Sequence, residues 1–219
     1  MISAAQPGPG GARIKAAFLI AFIARTMVDM SITRDSLLPL SPGRWALDGN
    51  HSSVGFTIRH LGVSKVRGRF QDFEVDVVIG PTLDATSVVA TIQTTSIDTG
   101  NPDRDAHVRS ADLLDVERRP TMVFRSTSIT DTGHGWVLDG DLTIGDVTRP
   151  QRLDLEFGGL EHFPGGPRHA GFEAFGEVRR KDFGIDIALP PGVSAVALGD
   201  VVKIELDIQL LEPDVDPVP

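Results

Sequence analysis

The sequence contains no cysteine, which removes disulfides, thiolate metal sites and cysteine nucleophiles from consideration while leaving the compartment open. Basic residues are fewer than acidic ones, 21 against 30, giving a formal net charge of −9. Phosphate binding needs a basic footprint, so a nucleic-acid partner is excluded on composition. Long apolar runs are also missing. The run Ala16 to Ala24, between Lys15 and Arg25, falls far short of the roughly 20 residues that span a bilayer, so no transmembrane anchor is expected. What remains is a globular composition, 41% hydrophobic over 219 residues, large enough to bury a core and of a length at which single β-barrels are common.

The two ends differ from the body. Residues 1–43 lack strand patterning, and Lys15, Ala16 to Ala24 and Arg25 resemble the first parts of a secretory signal without a convincing cleavage site. This extension is read as a weak signal, a loosely docked or disordered lead, or an over-long start with Met27 or Met30 as the true beginning. A cytoplasmic location is expected, with a secreted or periplasmic one if residues 13–26 act as a signal. At the other end, residues 212–219 form an acidic, proline-rich tail expected to be disordered.

Between these ends, over residues 44–211, the hydrophobic period is two. Trp136, Leu138, Leu142 and Ile144 face one way while Val137, Asp139, Asp141 and Thr143 face the other, as in a strand with one wet side. The alternation recurs in Leu153 to Phe157, in Phe172 to Val178 and in Val202 to Leu210. Further strands are expected near 52–60, 66–79, 85–95 and 121–130, with Gly62, Gly80-Pro81, Thr132-Gly133 and Gly145-Asp146 as turns. That makes about eight strands with linkers too short for crossover helices, hence antiparallel and able to close into a barrel.

Two connections are longer. In Ser96 to Pro120, Asn101 is a good N-cap, Pro102 fits the first helical position, Asp103 and Asp105 lie in the positive first turn and Arg109 near the negative end, so a short helix is expected. The stretch Phe183 to Gly199, with Pro190-Pro191-Gly192, is expected to fold over a barrel mouth.

Several segments resemble the YceI-like family in their order along the chain: Trp45-Ala-Leu-Asp48, His51-Ser-Ser-Val-Gly-Phe56, His60, Val66-Arg-Gly-Arg-Phe70, Asp103-Arg-Asp105 with His107, Phe124-Arg-Ser126, Leu142-Thr-Ile-Gly145 with Val147-Thr-Arg-Pro150, and Arg180-Lys-Asp-Phe-Gly184. The resemblance covers roughly residues 44 to 211 and implies an all-β fold: a lipocalin-like eight-stranded antiparallel β-barrel with a short helical insertion. It implies non-catalytic binding, sequestration or transport of a polyisoprenoid or other long-chain amphiphile in an apolar tunnel, without cofactor, metal or catalytic residues.

The residues themselves supply candidates for such a site. Phe56, Ile58, Phe70, Phe124 and Phe172 sit on apolar strand faces and either fill a core or line a tunnel. His60 continues the face of Val54, Phe56 and Ile58, as a wall histidine or a head-group contact. Arg104 and His107, on the expected helix, are placed to receive an anionic head group, while Asp105 reads as a clasp for Arg104 or a neighbouring strand. His51 and His60 have an odd spacing that puts them on opposite strand faces, so they should not chelate a metal together. His51 beside Ser52 offers a base next to a nucleophile, but adjacent strand residues point apart. The expected partner is a long-chain isoprenoid or fatty-acid-like lipid, and a homodimer is compatible with this reading. The alternatives are a small hydrolase or isomerase acting inside the barrel, and an interaction module whose barrel is filled by its own side chains.

Overall fold

The computed structural model describes residues 40–162, 164–187 and 198–213. The extension before residue 40, the Pro190-Pro191-Gly192 connection and the last six residues of the acidic tail lie outside the described residues. The described strands are β1 (Gly43–Leu47), β2 (Ser53–His60), β3 (Ser64–Phe70), β4 (Phe73–Ile79), β5 (Ser87–Gln93), β6 (Ile97–Asp98), β7 (Thr121–Asp131), β8 (Trp136–Ile144), β9 (Val147–His162), β10 (Arg168–Arg179) and β11 (Leu198–Leu211); helix α1 is Pro102–Arg109.

These segments build eight staves. β1 and β2 both lie antiparallel along β11, with Leu47 opposite Leu210 and Ser53 opposite Asp207, and the Asp48 amide bridges them by donating to the Gln209 carbonyl at 2.8 Å. On their other side β1 pairs with β4 and β2 with β3, so β1 and β2 make one bent stave and β3 and β4 the next. β5 and β6 make the third, running beside β4 and β3. From there β7 to β11 follow in chain order, each antiparallel to the last, and β11 closes on β1. The result is a closed up-and-down barrel.

The strand expected at 66–79 is therefore interrupted, parting into β3 and β4 at Gln71-Asp72, and the one expected at 85–95 is shorter, β5 ending at Gln93. The breaks at Gln71-Asp72 and Thr94–Ser96 stand opposite one another, joined by Gln71 N–H to Ser96 O at 3.1 Å and Gln93 N–H to Asp72 O at 2.9 Å. The wall bends across two neighbouring staves while its backbone groups stay paired.

The register fixes which side chains look inward. Phe172, Ala174, Gly176 and Val178 stand opposite Ile208, Leu206, Ile204 and Val202; the last three continue to Val54, Phe56 and Ile58, and these to Phe70, Gly68 and Val66. The alternate positions Glu173, Glu177, Lys203, Glu205, Lys65 and Arg67 are exposed outside. The largest packed cluster joins Phe124, Ile129, Leu138, Leu142, Ile144, Leu153, Ala174 and Val178 to Leu114, Phe183 and Ile185. Those last three come from the connections after α1 and after β10, so the connections cover one end of the barrel. The two-residue turn Gly145-Asp146 between β8 and β9 has φ +63° at its glycine, the primed geometry that matches strand twist.

Candidate ligand-binding site

The inner wall is unevenly filled. On the β7–β8 side Phe124, Leu138, Leu142 and Ile144 are buried. On the opposite side Val54, Phe56 and Ile58 of β2 and Val202, Ile204 and Leu206 of β11 are only half-buried, although they face into a closed barrel. Inward-facing apolar groups that keep accessible surface border interior space that the protein does not fill.

Glycines in the wall make room for the inward side chains themselves. Gly68 stands directly opposite Phe56, and a Cβ there would collide with the edge of the Phe56 ring. A Cβ on Gly140 would strike both the Phe124 ring and the Arg125 carbonyl, and one on Gly176 would meet the Leu153 side chain at 2.6 Å. The rings can lie against the wall because their neighbours have no side chain.

The structure sorts the aromatic candidates into connected groups. Phe56 and Phe70 are tilted neighbours with centroids 5.6 Å apart. Ala90, Val108 and Met122 pack against both the Phe70 cluster and the larger cluster containing Phe124, linking these three phenylalanines across the interior. Phe172 belongs to a second set with Phe157 at 5.3 Å, which in turn meets Trp136 edge-on at 6.4 Å. Ile58 lies on the same inner face, paired with Val202 and Val66. Sequence reasoning left Trp136 and the wall glycines out of the site. The signal was a glycine inside an alternating strand opposite or beside an aromatic.

His60 ends β2 and is exposed at the rim. Helix α1 lies at the same barrel end and reaches inward through Val108. Its N-cap works as the sequence implies, since the Asn101 side-chain oxygen accepts the Arg104 amide at 2.9 Å. Asp105 is buried and accepts both the Thr99 amide at 3.0 Å and the Thr99 hydroxyl at 2.5 Å. Arg104 donates from Nε to the same hydroxyl at 2.7 Å and from Nη2 to the Thr99 carbonyl at 2.8 Å. Its Nη1 has no protein partner among the described residues. His107 is exposed on the helix, and Arg109 donates to the Thr95 and Ile97 carbonyls. The helix is thus latched to the chain that leads into it.

The family-like segment at Arg180 has a structural explanation. Arg180 is a buried cation whose Nε donates to Gly199 O, Nη1 to Ile185 O and Asp186, and Nη2 to Leu198 O. The Arg180 hydrogen bond, followed by the Ile187 amide, holds the Asp186 carboxyl below its ordinary range.

A hydrolytic constellation is not assembled at His51. Its Nδ1 bonds Asp48 at 2.9 Å, and this hydrogen bond holds the Asp48 carboxyl below its ordinary range. The neighbouring Ser52 hydroxyl instead accepts the Gln209 amide at 2.9 Å. Among the described residues no group of His, Asp and Glu side chains is arranged to hold a metal ion, and no helix is long and apolar enough to cross a membrane.

Fold and interior together define a closed antiparallel barrel of lipocalin-like architecture with an apolar inside. Residues 45–210 match the YceI-like domain, and the chain belongs to that family. Protein YceI of Escherichia coli O17:K52:H18 is 39% identical over 161 residues, spanning 72% of this chain and 82% of the relative. The YCEI protein of Campylobacter jejuni superposes with TM-score 0.61 at 28% identity, covering 77% of this chain and 98% of that one. A polyisoprenoid binding domain from Saccharophagus degradans shares the fold at TM-score 0.53 and 12% identity, covering 79% of this chain and all of that one.

Proposed function

We propose that this protein binds a polyisoprenoid or similar long-chain amphiphile non-catalytically inside the barrel, for sequestration or transport. The observation that carries this reading is the half-buried apolar wall of β2 and β11, which includes Phe56 and faces an interior that Phe70 and Phe124 also border. A slender hydrocarbon chain is the occupant suited to such a wall, because each methylene leaving water contributes about 0.8 kcal/mol. Part of that gain is offset by the lost freedom of the chain, so affinity falls below the sum. The polyisoprenoid binding domain with the same fold supports the choice of lipid class. A catalytic reading has less support, since among the described residues the Asp48–His51 pair has no hydroxyl nucleophile at hydrogen-bond distance.

Native mass spectrometry of the purified protein mixed with extracted lipids tests this directly. A long-chain lipid adduct is expected for the natural protein and should be lost in folded Phe56→Asp and Phe124→Asp variants. Binding should show a negative heat-capacity change and resist moderate salt. Retention of the adduct by both folded variants would place the lipid elsewhere, and absence of any adduct in the natural protein would favour a barrel that works without cargo.

A further inference from the structure

The turn between β2 and β3 combines features that the barrel does not need. Val63 and Leu61 are 81% and 52% exposed, ahead of Phe175 among the exposed large hydrophobics of the described residues. The turn closes through the Val63 amide and the His60 carbonyl at 3.2 Å, and its two central residues, Leu61 and Gly62, have φ of +53° and +72°. Glycine or asparagine suits both positions, whereas leucine is strained there. The chain thus keeps an apolar side chain largely in water on a backbone that disfavours it, with little packing gained in return among the described residues.

The stems of this hairpin are basic. Arg59 stands directly opposite Lys65, a like-charge pair that destabilises a hairpin, and Arg67 follows on the same outer face. Several of the nearby carboxylates are engaged with other cations, Asp98 with Arg69, Glu177 with Lys203, Asp200 with Arg179, and Asp186 with Arg180 and Lys181, while Glu205 and Asp182 are exposed outside these pairs. Among the described residues Arg59, Lys65 and Arg67 have no carboxylate within ion-pair distance. A cleft of about 300 Å³ beside the turn, lined by Arg59, Gly62, Arg180, Lys181 and Asp200, brings Lys181 to the same patch. This concentration of positive charge sits on a chain whose net charge is −9.

We propose that this hairpin tip docks the protein on the surface of an anionic lipid bilayer. Leu61 and Val63 enter the head-group layer while Arg59, Lys65 and Arg67 face the lipid phosphates. An apolar tip ringed by cations is complementary to that interface, which is negatively charged at its surface and apolar beneath. An acidic protein would answer the cations but not the solvated leucine and valine. Docking does not depend on what the barrel holds, so it stands or falls separately from the proposed lipid cargo.

The test is co-sedimentation of the full chain with vesicles of phosphatidylcholine alone or containing about a third phosphatidylserine. Binding is expected only to the anionic vesicles and should weaken as salt rises from about 0.05 to 0.5 M. Leu61→Asn with Val63→Ser should reduce binding tenfold or more without lowering the melting temperature. Arg59→Ala and Lys65→Ala should each cost about fivefold and flatten the salt dependence. Phe175→Ser, which removes an exposed aromatic elsewhere, should bind as the natural protein does. Equal binding to both vesicle types, no binding to either, or full binding by the Leu61/Val63 variant would overturn the proposal.

Discussion

The phenylalanine and glycine pairs of the inner wall show how single residues set the shape of the interior. At Gly68 the obstacle to a methyl group is the Phe56 ring, which is the free end of a side chain. At Gly140 it is both the Phe124 ring and the Arg125 carbonyl, and that backbone oxygen is fixed in the sheet. Gly68→Ala should therefore push Phe56 aside at a cost of about 1 kcal/mol, while Gly140→Ala should cost about 2–3 kcal/mol because strand and ring must both shift. Denaturant melts of the two variants check this, and equal losses would show that the Arg125 strand yields as easily as a ring. Half of this arrangement was legible in the sequence. Alternation placed Phe56, Phe70, Phe124 and Phe172 on inner faces, but which ring meets which glycine depends on register between strands, and a single strand carries no record of its partner. Arg180 was visible only as part of a family-like segment, because its carbonyl partners are backbone atoms without a sequence signature.

At the scale of elements, the start of α1 was legible because capping is local: Asn101, Pro102 and the first-turn aspartates act within one turn. The staves were legible through period two, but their bends were not, since the breaks at Gln71-Asp72 and Thr94–Ser96 are held by bonds between neighbouring staves. The latch of α1 onto Thr99 now separates the roles of two adjacent residues. Asp105 accepts the Thr99 amide and hydroxyl in a buried position, so Asp105→Ala should destabilise the protein by about 2 kcal/mol. Arg104 shares Thr99 but keeps Nη1 uncommitted among the described residues, at the barrel end where a cargo head group would lie under the proposed function. Arg104→Ala should weaken an anionic long-chain lipid roughly ten- to a hundredfold, as for one charge-assisted hydrogen bond, and barely change its neutral alcohol analogue. Paired titrations with both lipids alongside melting curves make the distinction. Equal loss for the two lipids with a lowered midpoint would assign Arg104 to the latch alone.

The whole molecule depends on closure, and at the β1 end of the first stave it rests on few backbone pairs: among the described residues β1 meets β11 only at Ala46–Leu211 and Leu47–Leu210, while β2 holds the rest of that stave to β11. A polar clamp stands beside this seam. Glu212 accepts hydrogen bonds from Arg168 and from the Ser41 hydroxyl, its amide donates to the Arg168 carbonyl at 2.9 Å, and Arg168 also reaches Ser41 at 2.7 Å. It joins the approach to β1, the start of β10 and the end of β11. Partners so far apart in the chain leave no periodic trace, which is why the sequence placed Glu212 in an unstructured tail. The Arg168 hydrogen bonds, with help from Ser41, hold the Glu212 carboxyl down to about 2 from an ordinary 4.5. The folded pKa is the lower one, so the unfolded chain takes up the proton first. The stabilisation is therefore complete above about pH 4.5 and disappears as the pH falls toward 2. Because Arg168 is about a third exposed, solvent screening discounts the pair to about 1 kcal/mol at neutral pH. Glu212→Gln should lose that amount at pH 7, and its stability should converge on that of the natural protein as pH falls below about 4.5, since other carboxylates titrate alike in both. Denaturant titrations at successive pH values measure the difference, and hydrogen exchange should show faster opening of the Trp45 to Leu47 amides in the variant. A stability gap that stays constant down to pH 3, with the seam amides unchanged, would mean that Glu212 acts through packing and that the barrel closes without its charge.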